Sequence, residues 1–186
     1  MAGQILTDNL DDFYLTITAS KDGTPKGDAT VALSLADKSQ GGIITGMTGN
    51  GVNPIVVTSV AHGLNTSDLV CLMNVVGNKA ANGPKTVTKI DANTFSIGVA
   101  GTGAWIDTTD ADNDDDKPWF YKTVAGVHNE SMSVYDSDTG EYRIPIERSI
   151  NLIIGRDYIA YAEISYPAET GVDVRQISLR GAAPRQ

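Results

Sequence analysis

The residue types that most often carry acid–base or metal chemistry are few in this 186-residue chain. The two histidines are His62 and His128, and the single cysteine is Cys71. No second His or Cys lies at ligand spacing, so His62 is expected to satisfy the backbone of a turn. His128 lies in an extended His-Asn-Glu-Ser run, in which neighbouring side chains point to opposite faces and do not converge on one atom. Cys71 alternates with Leu69 and Met73 and is expected to pack in a core.

An acidic run offers the oxygen ligands that calcium prefers. Asp110, Asp112 and Asp114 have the spacing of the first three ligands of an EF-hand loop. The same pattern requires glycine where Asp115 stands and glutamate where Tyr121 stands, so the EF-hand is excluded. The three aspartates remain weak candidates for an irregular Ca²⁺ site, and the run itself is expected to be a solvated loop.

Three consecutive aromatic residues, Trp119, Phe120 and Tyr121, follow the acidic run. Such a group could form a sugar-binding platform or the anchor of a protein interface, and we name these residues as interface candidates. The preferred alternative is a hydrophobic latch that returns the chain to the sandwich that its flanks are expected to form. The glycine cluster at 41–51 lacks the Lys-Ser/Thr ending of a phosphate-binding loop. We therefore nominate no catalytic, cofactor-binding or firm metal-binding residue and predict that the protein is not an enzyme.

The overall composition restricts the class of protein. There are 23 acidic and 14 basic residues, a net charge of −9, so nucleic acid is not expected as a partner, because phosphate binding needs concentrated Lys and Arg. No apolar run approaches the roughly 20 residues that cross a bilayer, and no signal peptide is recognised, so no membrane partner is expected either. The single cysteine excludes an intramolecular disulfide. These features predict an acidic, soluble protein made in a reducing compartment.

The elements that must position these residues show a period of two rather than 3.6. Alternation of apolar and polar residues predicts strands at 13–19, 29–35, 142–146, 150–154, 158–164 and 177–179. Pro145 predicts that its strand is an edge strand or carries a bulge, because proline donates no ladder hydrogen bond.

The middle of the chain begins with a Gly- and Asn-rich stretch and then shows further short strands, which are typical of a small β-barrel. We predict strands at 55–60, 69–73, 86–90 and 95–99. Neither flank alone supplies the three or so strands that a stable sheet needs, so the flanks are expected to fold together. The predicted fold is all-β, with a split immunoglobulin-like β-sandwich (1–42 and 124–186), an inserted small β-barrel (43–106) and an acidic linker loop (107–123).

The central block contains Ala61-His62-Gly63-Leu64 and later Asp91-Ala92-Asn93-Thr94-Phe95-Ser96-Ile97. This order resembles the small β-barrel module first described in ubiquitin-activating enzymes, their first catalytic-cysteine half-domain, which is widespread in bacteriophage tail and virion proteins. No adenylation domain is present, so the resemblance implies no ubiquitin chemistry. The flanks resemble immunoglobulin-like modules of phage structural proteins at 13–17, 22–25, 29–33, 139–146 and 155–158.

These resemblances imply a structural component of a phage virion, either a capsid decoration protein or a tail-surface protein. It would attach to major capsid or tail proteins through protein–protein contacts, and self-association stays open. The sandwich and residues 1–10 are expected to dock, since sheet edges and extended arms can add strands to a partner. The competing class is a carbohydrate-binding module for host recognition; a small hydrolase lacks the converging polar groups it would need. The expected location is the virion, after synthesis in the host cytoplasm.

Overall fold

The computed structural model describes residues 13–112, 116–147, 150, 152–153, 155–167 and 172–180. Strands account for 51% of the residues and helix for 3%, which confirms the predicted all-β class. The strands are β1 (Phe13–Thr18), β2 (Ser20–Lys21), β3 (Thr24–Pro25), β4 (Thr30–Ile43), β5 (Gly46–Met47), β6 (Ile55–Thr58), β7 (Leu69–Met73), β8 (Gly83–Lys89), β9 (Thr94–Ile97), β10 (Trp119–Thr123), β11 (Glu130–Ser131), β12 (Ser133–Asp136), β13 (Glu141–Ile146), β14 (Asp157–Ser165) and β15 (Asp173–Arg180). One 3₁₀ turn spans Lys79–Ala81. Within this described part of the chain, no helix is long and apolar enough to cross a membrane.

The described residues form two compact units. The first unit draws on the segments 1–36 and 124–186, and the second is 37–123. Two boundaries therefore differ from the predicted ones. Strand β4 continues past residue 36 into the second unit, and the predicted linker 107–123 ends in strand β10, which is part of the second unit because it pairs with β7.

The first unit contains two larger sheets that contribute to one core. One sheet has the order β1-β13-β12, and the other contains β15, β14 and the first half of β4, with β11 paired to β4. The alternation read from the sequence places apolar residues of both sheets in this core: Leu15, Ile17, Val31, Leu33, Leu35, Tyr142, Ile144, Ile146, Tyr158, Ala160, Ala162, Ile164 and Leu179. The immunoglobulin-like assignment stays a prediction.

A buried tyrosine ties the core of the first unit to a loop. Tyr142 is 1% exposed, and its hydroxyl donates to the carbonyl oxygen of Ala29 at 2.7 Å. Burial raises the pKa of Tyr142 above its ordinary value, so the hydroxyl keeps its proton and its role as a donor. The same hydroxyl lies 3.1 Å from the carbonyl oxygen of Lys26, so Tyr142 holds both ends of the segment 26–29.

Two sequence predictions in the first unit need correction or refinement. The segment 150–154 is not a strand at its described positions; the amide of Ile153 donates to the Tyr158 hydroxyl at 2.7 Å, and Ile150 and Leu152 pack against the core from a turn. Strand β13 is the middle strand of its sheet rather than an edge strand. Its register with β12 ends at Arg143, however, so Pro145 has a paired neighbour on the β1 side alone among the described residues.

The second unit is a sheet that curls into a half-barrel. Its strand order is β4-β10-β7-β8-β9-β6-β5. Strand β8 pairs with β7 through residues 83–86 and with β9 through residues 87–89, so the sheet turns around its own core at β8. The residues of that core are Ile44, Ile55, Val57, Leu64, Val70, Leu72, Val75, Ala81, Val87, Phe95, Ile97 and Phe120.

Candidate functional site

His62 uses both of its ring nitrogens to hold two turns of the second unit together. Its Nδ1 accepts a hydrogen bond from the amide of Leu64 at 3.0 Å, so the ring proton lies on Nε2. That nitrogen lies 3.0 Å from the carbonyl oxygen of Asp91 and donates to it. The ring is largely buried and meets Phe95 edge-on. His62 therefore serves backbone groups, and neither nitrogen is left over for a metal or a substrate in this arrangement.

The turn that receives His62 is ordered by its own polar side chains. The Asp91 carboxylate accepts from the amides of Asn93 at 2.7 Å and Thr94 at 2.8 Å, and the Asn93 side-chain oxygen accepts from the amide of Ala61 at 2.9 Å. The Asn93 amide first, and then the Thr94 hydroxyl, hold the pKa of Asp91 below its ordinary value. The sequence motifs at 61–64 and 91–97 are thus joined by hydrogen bonds, and their polar residues stabilise the two turns.

The remaining candidates for chemistry lie apart from one another. Cys71 is fully buried on β7, and His128 lies half-buried in the loop before β11. Asp110 and Asp112 are exposed, whereas Asp114 lies outside the described residues. In the part of the chain that the structure describes, no three His, Cys, Asp or Glu side chains come together as a metal site would require.

The aromatic run forms strand β10, and its side chains divide between two faces. Phe120 is fully buried in the core of the second unit, where it meets Phe95 edge-on at 5.5 Å. The latch interpretation is therefore corrected, because Phe120 packs within this unit. Trp119 and Tyr121 lie on the other face and stack on each other with centroids 5.6 Å apart. Tyr121 is 7% exposed, so an interface or sugar contact here would fall mainly to the half-buried Trp119.

A surface that the sequence reasoning missed lies on the sheet β1-β13-β12. Its inner positions fill the core, and its outer positions include two highly exposed tyrosines, Tyr14 at 59% and Tyr135 at 61%. Tyr14 is paired with Pro145 in the register of β1 and β13, and Arg143 lies two residues away on the same face. We call Tyr14, Pro145, Arg143 and Tyr135 the outer stripe. The sequence signal for it was tyrosine and proline at strand positions that face away from the core.

The arginine of the outer stripe is held in place by two neighbours. Its guanidinium carbon lies 3.3 Å from the centroid of the Tyr135 ring, and its Nε donates to Glu141 at 2.8 Å. A guanidinium stacked on an aromatic face and bound to a carboxylate has fewer rotamers to lose when a partner binds. The outer stripe is thus a partly ordered surface of Tyr, Arg and Pro. Tyrosine and arginine are enriched in the energetically important centres of protein interfaces.

No protein-family model and no curated protein matches the chain. The fold and the candidate site define an all-β protein of two compact units with an exposed aromatic and arginine-containing sheet face. Among the described residues, His62 is engaged by backbone groups and Cys71 is buried.

Proposed function

We propose that this protein is a non-enzymatic structural component of a phage virion that attaches to the surface of the capsid or the tail through protein–protein contacts. The observation that carries the proposal is the outer stripe, an exposed and partly ordered group of interface-type residues on a sheet face. The resemblance of the central block to a module of phage virion proteins supplies the setting. The proposed location is the assembled particle.

The outer stripe is the proposed docking surface of the first unit. Tyr14 and Tyr135 offer flat apolar rings with polar ends, which bury large areas at a low cost in side-chain entropy. The guanidinium of Arg143 can donate to a second carboxylate or to a carbonyl oxygen beside Glu141. The partner is therefore a capsid or tail protein with an apolar pocket for a tyrosine and a hydrogen-bond acceptor next to it.

The charge of the chain supports a partner of this kind. At a net charge of −9, long-range repulsion disfavours contact with an acidic surface and favours a neutral or basic one. Specific attachment typically buries about 1,200–2,000 Å², or it repeats a smaller contact through the symmetry of the particle. A capsid or tail surface provides that repetition.

Rebinding to particles tests the proposal. Particles that lack the chain would be incubated with purified wild-type protein or with the triple variant Tyr14→Ala, Arg143→Ala and Tyr135→Ala, and bound protein would be measured after sedimentation. We expect saturable binding of the wild type and at least a tenfold weaker binding of the variant, since loss of a central interface residue typically removes about 2 kcal/mol. Trp119→Ala is the matched control and should bind as the wild type does.

The carbohydrate-binding alternative makes the opposite prediction in the same comparison. It requires Trp119 and Tyr121 rather than the outer stripe, and their mutual stacking leaves less ring surface for a sugar. Binding of the wild type, but not of Trp119→Ala, to a glycan array would favour the carbohydrate-binding alternative. Rebinding to particles that depends on Trp119 and not on Tyr14 would overturn the proposed docking surface.

A further inference from the structure

Strand β15 forms the outer end of its sheet in the described part of the chain. Its register with β14 is unbroken from Asp157 opposite Arg180 to Ile164 opposite Asp173, eight pairs in all. An end strand presents a row of N–H and C=O groups that can pair with another chain. Native proteins commonly protect such edges with charged side chains, proline, bulges or very short strands.

Among the described sheet ends, β5 and β12 are very short or bulged, whereas β1 and β15 are neither. Strand β5 is two residues long, and the register of β12 shifts between Val134 and Asp136, as at a β-bulge. Strand β15 has eight residues, no proline, no lysine and no register shift. Two exposed valines stand at its beginning, Val172 at 53% and Val174 at 42% exposure.

The residue order around Val174 is complementary to itself. The segment is Val172-Asp173-Val174-Arg175-Gln176, with an acid and a base placed symmetrically about the central valine. We infer that β15 of one copy of the chain pairs in antiparallel fashion with β15 of a second copy, about a two-fold axis at Val174. Each Asp173 then lies opposite the partner's Arg175, and the two Val174 side chains lie opposite each other.

Neighbouring registers are less favourable. A two-fold axis perpendicular to the sheet keeps each side chain on its own face of the sheet. The axis must therefore lie level with a residue, and the next possible register on either side places it at the adjacent residue. An axis at Arg175 sets two arginines opposite each other, and an axis at Asp173 sets two aspartates opposite each other. Like charges directly across a ladder are destabilising, whereas opposite charges stabilise it. The charge pattern therefore selects the axis at Val174.

The environment of Asp173 is compatible with this pairing. Strand β14 places Asp173 opposite Ile164, and its carboxylate lies close enough to Tyr166 that, after burial, its negative charge contributes to raising the pKa of that phenol. Tyr166 itself donates to the carbonyl of Ser20 at 2.9 Å. The charge of Arg175 acts on the same phenol, so Asp173 and Arg175 lie on one face of β15 beside Tyr166, and Arg175 is exposed.

The inferred contact closes on itself, which makes it a dimer and not a fibre. In an isologous contact the same edge is used by both copies and is consumed by the pairing. A dimer would carry two copies of the outer stripe, which would strengthen attachment to a repetitive surface if the proposed function holds. The dimer itself does not depend on that function.

Sedimentation velocity of the full chain over about 1–200 µM tests the inference. Because one edge pairing is smaller than a standard interface, we expect a dissociation constant in the micromolar range. Arg175→Asp and Asp173→Arg should each weaken dimerisation at least tenfold, because each turns two attractive cross-strand pairs into repulsive ones. The double variant that carries both changes restores the complementary order and should regain the dimer.

Lys79→Asp is the matched control, since it makes the same change of net charge at an exposed position in the second unit and should leave the dimer intact. Val174→Lys is a second probe on the opposite face from Tyr166; it brings two ammonium groups together at the axis and should also give monomers. Circular dichroism confirms that each variant is folded. A wild type that stays monomeric throughout, or a dimer that survives both Arg175→Asp and Val174→Lys, would overturn the inference.

Discussion

His62 and Asp91 are joined by a hydrogen bond of 3.0 Å between the ring Nε2 and the main-chain carbonyl oxygen, across 29 residues of sequence. A histidine and an aspartate that meet in this way can be mistaken for catalytic partners. Here the carboxylate of Asp91 binds amides of its own turn instead, and the imidazole binds the backbone. The pair joins the turn at His62 to the turn before β9.

The first prediction concerns His62 itself. His62→Ala removes a buried ring and two backbone hydrogen bonds, so we expect a loss of about 2–4 kcal/mol in the free energy of unfolding of the second unit. Urea unfolding followed by circular dichroism measures it. Val60→Ala, at a residue that is 73% exposed, should change the same free energy by less than about 0.5 kcal/mol. Equal effects of the two substitutions would contradict the structural role of His62.

A second prediction concerns pH. The pKa of Asp91 is lowered in the folded state, so its contribution to stability is complete above the unfolded pKa of about 3.9 and is lost as the pH falls through the folded value. Asp91→Asn keeps an acceptor oxygen but cannot titrate. We therefore expect the melting temperature of the wild type to fall more steeply below about pH 4 than that of Asp91→Asn. Parallel curves for the two proteins would exclude the charged form of Asp91 as a stabilising group.

A third prediction concerns the buried tyrosine of the first unit. Tyr142→Phe keeps the ring but leaves the Ala29 carbonyl without its donor, and we expect a loss of about 1–2 kcal/mol in the free energy of unfolding. Tyr14→Phe makes the same chemical change at an exposed tyrosine and should be nearly neutral. Chemical denaturation of both variants measures the difference, and a neutral Tyr142→Phe would be inconsistent with the hydrogen bond.

A fourth prediction separates two reasons for glycine in the second unit. Gly77 has φ of +83°, and a Cβ there would clash with the carbonyl oxygen of Ala104. Gly51 has φ of +74°, with open space around the added atom. Gly51→Ala should cost about 1–2 kcal/mol from backbone conformation alone, and Gly77→Ala should cost clearly more, because backbone atoms must also move. Thermal unfolding of both variants tests the order, and the reverse order would contradict the close approach.

Sequence periodicity could predict elements whose pattern matches their burial. Residues 142–146 were predicted as a strand and lie in β13, where the apolar Tyr142, Ile144 and Ile146 are the buried positions and alternate with less buried ones. Apolar residues also recur with a period of two at 150–154, but the described positions of this segment do not form a strand. The amide of Ile153 donates to the hydroxyl of Tyr158, which lies outside the segment. Alternation within 150–154 carries no information about a hydrogen-bond acceptor that lies outside the segment.

The candidate site was harder to predict, because its residues are brought together by strand pairing between distant segments. The sequence does not distinguish the three aromatic residues Trp119, Phe120 and Tyr121 from one another. Pairing of β10 with β7 places Phe120 in the core. The outer stripe joins residues from both ends of the chain, so no local window contains Tyr14 together with Arg143. Asn78 was overlooked as well; it is fully buried, and its side-chain amide braces Thr48 and Thr102.

Electron cryo-microscopy of the proposed phage particle is the decisive experiment, because it shows both whether the chain is present and which surface it uses. We expect density for the first unit on the capsid or tail, with Tyr14 and Tyr135 in contact with a neighbouring virion protein. A particle that lacks the chain, or one in which the outer stripe faces solvent while another surface makes the attachment, would contradict this expectation.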